Sequence, residues 1–326
     1  MSEKFSTSHK NYSKNKVIYH YCSLDVFKLI IESASLRMTN ISKSNDFDEI
    51  QYAYDILSDV IYSTYKKEAR LRDIPYLDNI INNFDFGDFF GNSMKESNLT
   101  YYATCFSGNG DLLSQWRGYA NDGNGIALGF YKGVFEDFNS ESNPMFGDVI
   151  YDVDQLIVNT KNYIKVQLDS LSQKAEASQS DYDNILLHLL SKSIYSSVFY
   201  KNPAFIEEDE KRFVYYPFGN ILSLKKRTSH TDDISNYRYF DRMLEYFEHE
   251  ERYKNFIISK PSYFIRQNQL ISYFDISFSQ IKPFFLSEII LGPKTNLNDN
   301  DLRLFLLSNG YDLNFLNIRS SIAPYK

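Results

Sequence analysis

The sequence is poor in the residues that mark several large classes of protein. Its only two cysteines, Cys22 and Cys105, lie far apart and without metal-site spacing, so neither a disulfide framework nor a zinc site is indicated. No apolar run approaches the length of a membrane span. The formal net charge is −7, so the whole molecule does not attract nucleic acid or an anionic membrane. Residues 1–16 are polar and lack the apolar core of a secretory signal, so we expect a flexible arm and a cytoplasmic protein.

Aromatic residues are abundant by contrast, with 27 tyrosines and 26 phenylalanines but only one tryptophan. A tyrosine packs its ring while its hydroxyl hydrogen-bonds, so many tyrosines suit polar grooves as well as cores. An AT-rich genome favours the same composition, and the excess alone therefore indicates no site. Hydrophobic residues make up 43% of the chain and charged residues 24%, which is typical of a folded globular protein.

Strand-like and helix-like patterns alternate along the chain. VIYHY alternates as a strand does, and Ser23 can cap a helix over Leu24–Glu32. Further strands are predicted at 36–38, 100–106, 126–131, 149–153, 210–216, 262–266, 270–276, 285–292 and 314–318, and helices at 50–65, 112–120, 152–174, 181–200 and 298–309. We predict one α+β domain over residues 17–326, with a mixed or antiparallel central sheet and helical insertions at about 50–97, 152–200 and 222–258.

Two segments carry candidate ligand-binding residues in the first half of the chain. His20 stands between two tyrosines on the first strand, where a neutral imidazole can donate a hydrogen bond to a ligand; packed histidines in strands are also common. The segment CFSGNGDLLSQWRGYANDGNG contains Ser107, the sole tryptophan Trp116, and Tyr119. Its glycines suit a tight strand–helix–strand connection, and its rings equally suit a wall on which a flat ligand ring stacks.

An acidic segment supplies the candidate catalytic carboxylates. In the segment KNPAFIEEDEKRFV, Glu208, Glu210 and Arg212 lie on one face if they belong to a strand, because side chains alternate. A solvated, self-neutralising edge explains such a group. The same group can also hold a carboxylate at the pKa that catalysis needs, or stabilise a developing sugar oxocarbenium ion.

Motifs for metals and phosphates are missing. His188 and His249 each lack a second histidine ligand three or four residues away, and Asn45, Asp46 and Glu49 suit helix capping. No glycine fingerprint opens a helix after a strand, and there is no phosphate-binding loop. We therefore expect no metal ion and no dinucleotide-binding fold of the doubly wound type.

Read in order, several segments resemble a bacterial family of domains of unknown function, the one numbered 2971. The matching pieces are YHYCS at 19–23, SLRMTN and SNDFDE within 35–49, CFSGNGDLLSQWRGYANDGNGIALGF at 105–130, KNPAFIEEDEKRFV at 201–214, LISYFDI at 270–276, EIILGPK at 288–294 and SSIAPYK at 320–326. The resemblance covers nearly the whole chain, with 50–97 and 218–260 as variable parts. The chain departs from the family where Lys326 replaces a more usual arginine and NDFDE replaces NDPxE.

The order of polar elements is also similar to that of the ADP-ribosyltransferase fold. That resemblance implies NAD as substrate, with His20 holding the nicotinamide-side ribose, Tyr119 stacking on nicotinamide, and Glu208 or Glu210 facing the ribose 2′-hydroxyl. A fixed carboxylate beside the sugar suits the oxocarbenium-like transition state, and the chemistry needs no metal. The predicted catalytic residues are His20, Glu208 and Glu210, and the predicted ligand-binding residues are Tyr21, Ser23, Arg37, Ser107, Trp116, Tyr119 and Arg212.

Three hypotheses for function stay open on the sequence. The first is an NAD-using ADP-ribosyltransferase or NAD-cleaving effector of a toxin or phage-defence type, with a protein, a nucleic acid or water as acceptor. The second is a non-catalytic module that binds a nucleotide or a peptide. The third, a metal-dependent nuclease or phosphatase, rests only on scattered acidic residues. The acceptor and the oligomeric state are left open.

Overall fold

A computed structural model describes residues 16–43, 47–74, 101–136, 144–174, 176–217, 251–252 and 256–325. Helices and a mixed open sheet confirm the predicted α+β class. The chain contacts define two compact units: unit 1 comprises Met1–Lys43, Tyr101–Asp148 and Glu207–Lys326, and unit 2 comprises Ser44–Thr100 and Val149–Ile206. The predicted organisation as one domain with insertions stays a prediction.

Unit 1 is built on a sheet to which the described residues contribute twelve strands. These are β1 (Val17–Cys22), β2 (Ser35–Asn40), β3 (Tyr102–Ser107), β4 (Ile126–Tyr131), β5 (Met145–Asp148), β6 (Glu210–Tyr215), β7 (Glu251–Arg252), β8 (Ile257–Ile258), β9 (Ser262–Arg266), β10 (Gln269–Ser277), β11 (Glu288–Leu291) and β12 (Asn317–Ser320). The main path runs β12-β11-β4-β1-β3-β2-β10-β8-β7, with β6 on β3, β5 on β6 and β9 on β10. Among the pairs of named strands, β11–β12 is parallel and the others are antiparallel.

The helices of unit 1 are α1 (Leu24–Ser33), α3 (Leu113–Tyr119), α4 (Gly133–Glu136) and α7 (Asp299–Ser308), numbered in chain order with those of unit 2. The hydroxyl of Ser23 accepts a hydrogen bond from the Val26 amide, as the sequence predicts for a helix cap. Asn298 caps α7 in the same way. Short polar side chains thus begin both longer helices, because they satisfy amides that the first turn leaves without partners.

One face of the sheet carries the hydrophobic core of unit 1. Side chains alternate along a strand, so every second residue of each strand turns to this face. Its members include residues of β1, β2, β3, β4, β6, β10 and β11 together with α1 and α7: Ile18, Cys22, Phe27, Ile31, Leu36, Met38, Phe106, Leu128, Phe130, Phe213, Phe274, Ile276, Ile289 and Leu302. Phenylalanine rings meet edge to face at centroid distances such as 5.8 Å between Phe106 and Phe130, which suits their quadrupoles. Burial in this core raises the pKa of the Cys22 thiol to about 12, so the thiol stays protonated.

The sheet is split along one edge of β3. At one end of that edge Tyr19 of β1 is opposite Ser107, and at the other end Thr39 of β2 is opposite Ala103. The opposite edge of β3 pairs with β6 over its whole length. Strands β1 and β2 therefore share a single edge of β3 and separate between these two contacts.

Unit 2 contains α2 (Phe47–Leu71), α5 (Val153–Ser172) and α6 (Gln179–Ser197). Their buried side chains form an apolar cluster that includes Ile61, Tyr65, Ile164, Leu168 and Leu186. Arg72 donates to Glu68 at 2.7 Å and also reaches Asp169. In the part of the chain that is described, no helix combines the length and the apolar character needed to cross a membrane.

One predicted strand is wrong and several predictions fall outside the described residues. The strand predicted at 149–153 lies earlier, at Met145–Asp148, because those residues pair with β6, while the carboxylate of Asp152 caps α5. Strand β12 begins three residues later than predicted, after a 3₁₀ turn at Leu313–Phe315. The arm at 1–15, the caps Ser44–Asp46, and the segments 75–100 and 218–250 lie outside the described ranges.

Two glycines give a matched test of the turn between α3 and β4. A Cβ on Gly125 would lie 2.1 Å from the Cys22 carbonyl oxygen and 2.8 Å from that of Ala120, and neither backbone atom can move aside cheaply. We expect Gly125→Ala to lower the free energy of unfolding by about 1–3 kcal/mol. A Cβ on Gly118 of α3 meets nothing within 4 Å, so Gly118→Ala should raise it by about 0.5–1 kcal/mol.

Urea denaturation of both variants beside the wild type measures the difference. Equal stability of the two variants would contradict the close packing of this turn against β1.

Candidate functional site

The second face of the sheet is polar where β2, β3, β6 and β10 adjoin. In antiparallel strands, residues directly opposite each other point to the same side. Ser107 is opposite Glu210, Cys105 is opposite Arg212, and Arg37 of β2 is opposite Asp275 of β10. Tyr19 of β1 is opposite Ser107 of β3, and Thr39 of β2 is opposite Ala103 of β3, so the four residues point to the same side of the sheet. By alternation along these strands, five of the predicted ligand or catalytic residues lie on this one face: Tyr21, Arg37, Ser107, Glu210 and Arg212. We call it the polar face.

A buried ion pair lies on the polar face of β6. Arg212 donates from Nε to Glu210 Oε1 at 2.7 Å and from a terminal nitrogen to Oε2 at 3.3 Å. Both residues are buried, with relative exposures of 1% for Arg212 and 5% for Glu210. Two-point pairing fixes the orientation of the carboxylate, and removing one partner leaves a buried charge uncompensated. The geometry therefore gives a rigid carboxylate.

Glu208 is not part of the strand that carries Glu210 and Arg212, so the alternation that predicts one shared face does not extend to it. It lies in a 3₁₀ helix, Pro203–Glu208, and β6 begins only at Glu210. Asp209 between them has φ 44°, a left-handed conformation that aspartate tolerates better than most residues. This residue breaks the alternation, and the carbonyl oxygen of Glu208 accepts a hydrogen bond from Ser107 at 2.7 Å.

His20 lies on the other side of the sheet from Glu210. His20 follows Tyr19, whose side chain points to the same side as those of Ser107 and Glu210, so His20 points to the opposite side. There its ring contacts the core residue Phe106 in an edge-to-face arrangement, with 6.1 Å between the ring centroids. The ring Nδ1 is 3.0 Å from the Cys105 carbonyl oxygen, in the gap between β1 and β2, so Nδ1 carries the proton and donates. Burial lowers the pKa of His20, with this hydrogen bond offsetting part of the effect. The predicted convergence of His20 and Glu210 on one ribose is therefore wrong, because the two side chains point to opposite sides of the sheet.

Tyr21 and Trp116 form a packed, hydrogen-bonded pair. Their rings meet edge to face at 4.8 Å, and Trp116 has no exposed surface. Trp116 donates from Nε1 to Asp111 at 2.8 Å, while Tyr21 donates to the Asn109 carbonyl and accepts from the Leu112 amide. The prediction that a ligand ring stacks on Trp116 is thus corrected, because both faces of the indole are covered by protein.

Two further predicted residues have simple positions. Ser23 caps α1 with its hydroxyl, which explains its place after β1 without a ligand. Tyr119 ends α3 and is 54% exposed, so its ring is accessible for stacking, but no described contact joins it to Glu210 or His20. The predicted association of Tyr119 with a glutamate stays a prediction.

A partly exposed strip on the polar face was missed by sequence reasoning. The Arg37 guanidinium carbon is 3.7 Å from the centroid of the Tyr273 ring, and Phe264 lies 5.9 Å from Tyr273 between centroids. Arg37 Nε also donates to Asp275 Oδ1 at 3.4 Å. We call Phe264, Tyr273, Arg37 and Asp275 the stacking strip. Desolvation raises the pKa of Asp275, and the charge of Arg37 offsets part of that rise.

The alternation in LISYFDI does put Tyr273 and Asp275 on one side of a strand. Arg37 and Phe264 are next to Tyr273 because β2 and β9 pair with β10. The sequence alone does not reveal these two pairings. Arg37 itself was predicted as a ligand residue, and the structure adds its aromatic and acidic neighbours.

A second polar group lies where the end of the chain returns to α3. Glu288 accepts from Tyr19 at 2.8 Å and from Arg319 at 3.0 Å, and Arg319 also reaches Asp111 at 3.5 Å. Burial opposes ionisation of Asp111, but hydrogen bonds from the Ser321 hydroxyl, from the Ile322 amide at 2.7 Å and from Trp116 together hold its pKa below the usual range. Each carboxylate has several donors, so this group holds the C-terminal segment against the loop before α3.

Among the described residues, no three His, Cys, Asp or Glu side chains are grouped so as to hold a metal ion. The fold and the polar face define an α+β protein with a partly exposed aromatic–guanidinium strip. The model of the family described as "Protein of unknown function (DUF2971)" matches residues 115–213, which confirms the predicted resemblance to that family over this segment. The matched segment begins within α3 and ends within β6, so it includes Glu210 and Arg212. No curated protein and no solved structure matches the chain.

The position of His20 gives a pH prediction. The pKa of His20 is lowered in the folded protein. Between that lowered pKa and about pH 6.5, His20 is therefore protonated to a greater extent in the unfolded chain than in the folded protein. The stability that neutral His20 contributes is therefore full above about pH 6.5 and is lost as the pH falls below that value. Urea unfolding at pH 8 and pH 5.5 should show a smaller acid loss for His20→Asn than for the wild type, because Asn keeps a donor but does not titrate.

His188→Asn is the matched control, since His188 is an exposed helical histidine paired with Tyr163 at 2.8 Å. An unchanged acid loss in His20→Asn would contradict a neutral His20 that donates to Cys105.

Proposed function

We propose that unit 1 binds a nucleotide small molecule by stacking its flat ring on the polar face. One observation carries the proposal: a planar guanidinium already lies on the Tyr273 ring at 3.7 Å, on a partly exposed surface beside Phe264 and Asp275. The strip thus supplies an aromatic plane and a carboxylate at its edge. This is the set of groups that a base with a stacking face and polar edges requires.

Physical magnitudes favour a small nucleotide as the ligand. Stacking of one base on an aromatic side chain contributes about 1–3 kcal/mol, which is a useful share of the affinity for a small ligand. The net charge of −7 disfavours a long polyanion, whose binding depends on neutralised phosphates. A small nucleotide in the cytoplasm, sensed or carried without turnover, is therefore the leading proposal rather than a nucleic acid.

The second candidate is NAD turnover, by transfer of ADP-ribose or by hydrolysis. The observation that favours it is the rigid Glu210 carboxylate on the same face, since a fixed carboxylate beside a sugar stabilises an oxocarbenium-like transition state. Its pairing with Arg212 cancels much of its charge, so Arg212 has to release it for this role, and we rank the candidate second. A toxin or phage-defence role belongs to this candidate.

Stacking on Tyr273 is tested with a matched pair of tyrosines. Tyr273→Leu should weaken nucleotide binding about 5- to 100-fold, because one aromatic stacking contact is lost. Tyr263→Leu should leave binding unchanged, since Tyr263 is exposed on the neighbouring strand but is opposite Ser272, on the other side of the sheet. Titration calorimetry with the four ribonucleoside monophosphates and NAD measures the affinities. Binding that both variants retain, or that neither wild type nor variant shows, would contradict the proposal.

The role of Glu210 is tested by nicotinamide release from NAD. If the second candidate is right, the wild-type protein releases nicotinamide and Glu210→Gln lowers the rate by 100-fold or more, on the order of the loss of one transition-state electrostatic contact. Glu207→Gln is the control, because Glu207 is exposed and outside β6. Absence of release by the wild type, or equal rates for all three proteins, removes this candidate.

A further inference from the structure

We propose that Tyr273 and Asp275 form a guanine-selective base site that Arg37 occupies in the free protein. The inference rests on the proposed nucleotide binding and deepens it by naming the base. In the free protein Arg37 occupies this site: its flat guanidinium carries N–H donors, stacks on Tyr273 and donates to the carboxylate of Asp275. Arg37 was predicted to contact the ligand, and here it acts as the group that the ligand displaces.

The contacts of Arg37 indicate the shape and the hydrogen-bond donors of a ligand that fits the site. Its guanidinium carbon is 3.7 Å from the Tyr273 centroid, and its Nε donates to Asp275 Oδ1 at 3.4 Å. Guanine contains the same planar arrangement, a carbon bonded to three nitrogens, of which N1 and the 2-amino group carry hydrogens along one edge. A guanine in the place of the guanidinium keeps the stacking on Tyr273 and offers two parallel N–H donors to the two oxygens of Asp275.

The carboxylate of Asp275 discriminates against the other bases. An ionised carboxylate only accepts hydrogen bonds, so it needs two adjacent donors. Adenine and cytosine each place one amino group beside a ring nitrogen that is itself an acceptor, and uracil places its single N–H between two carbonyls. In each of these bases, a ring nitrogen or a carbonyl oxygen that only accepts hydrogen bonds faces one oxygen of Asp275. That carboxylate oxygen loses its water without gaining a donor, which lowers the affinity.

Arg37 can leave the site without movement of the sheet. Its side chain is 46% exposed and that of Asp275 is 34% exposed, and an ion pair this accessible to water is weak. The backbone of Asp275 is held independently, because its amide donates to Ser259 Oγ at 2.9 Å and its carbonyl accepts from the Ser259 amide at 2.9 Å. Rotation of the long Arg37 side chain therefore uncovers Tyr273 and Asp275 while their positions stay fixed.

The experiment measures the affinities of four neutral nucleosides and inosine for the full chain by saturation-transfer NMR titration. Nucleosides are used because they carry no phosphate with which Arg37 can interact. We expect guanosine to bind at least about 10-fold tighter than adenosine, cytidine or uridine, since one well-made charged hydrogen bond separates them. Inosine lacks the 2-amino group, so it should fall about 10-fold below guanosine by the same reasoning.

Two variants of the site residues and two control variants test the roles of Arg37 and Asp275. Arg37→Ala should tighten guanosine binding about 3- to 10-fold, because a weak internal competitor is removed. Asp275→Asn should abolish the preference for guanosine, and the inosine comparison tests the same contact if this variant does not fold. Arg303→Ala and Asp299→Asn are the controls, since they form a similarly exposed pair on α7, with Nε 2.7 Å from the carboxylate, and should change nothing.

The outcomes separate this inference from the proposed function. If all nucleosides bind equally and Tyr273→Leu weakens them all, nucleotide binding stands and the guanine site is overturned. Weaker guanosine binding by Arg37→Ala also overturns it, because Arg37 is then a ligand contact. Higher affinity for adenosine or NAD overturns it in favour of the second candidate, and binding of free arginine but not guanosine overturns it in favour of a different guanidinium ligand. If no nucleoside and no nucleotide binds, both proposals fail.

Discussion

The register of β3 is the constraint on which the rest of unit 1 depends. Because Ser107 is opposite both Tyr19 and Glu210, and Ala103 is opposite Thr39, alternate residues of five strands are sorted onto two faces. One face becomes an almost wholly apolar core, and the other gathers two arginine–carboxylate pairs, Glu210 with Arg212 and Arg37 with Asp275. A slip of one residue would exchange these faces, so the apolar core and the polar face are specified by the same pairing.

The polar face holds two kinds of charge pair that differ in what they do. Glu210 and Arg212 are buried and doubly hydrogen-bonded, so they are rigid, and the loss of either partner is expensive. Arg37 and Asp275 are joined by one long contact on an accessible surface, so they exchange readily with other partners. The second pair is therefore the one suited to ligand exchange, while the first fixes the strand beside it.

Local features of the fold could be predicted from the sequence, and features that depend on register could not. Ser23 caps α1 as its position predicts, and the alternation of VIYHYC indicates β1. The failure at Glu208 has a local cause, the left-handed backbone of Asp209, which nothing in the letters EEDEK reveals. Trp116 was predicted to contact a ligand because its ring partner Tyr21 is far away in the sequence. His20 was predicted as a site residue because the side of the sheet that it faces depends on the pairing of β1 with β3. The proximity of Arg37 to Tyr273 required the pairing of strands more than 200 residues apart, and only the fold supplies it.

The proposed function of unit 1 depends on a ligand ring that stacks on Tyr273 of the polar face. Tyrosine-labelled protein observed by NMR during titration with guanosine monophosphate tests this most directly, with assignment by the Tyr273→Leu and Tyr263→Leu spectra. The account predicts that the ring signals of Tyr273 move upfield on saturation, as a stacked base shields them, while those of Tyr263 on the other side of the sheet stay in place. Shifts confined to Tyr119 with Tyr273 unmoved would contradict stacking on the strip, because the ligand would then bind at the end of α3.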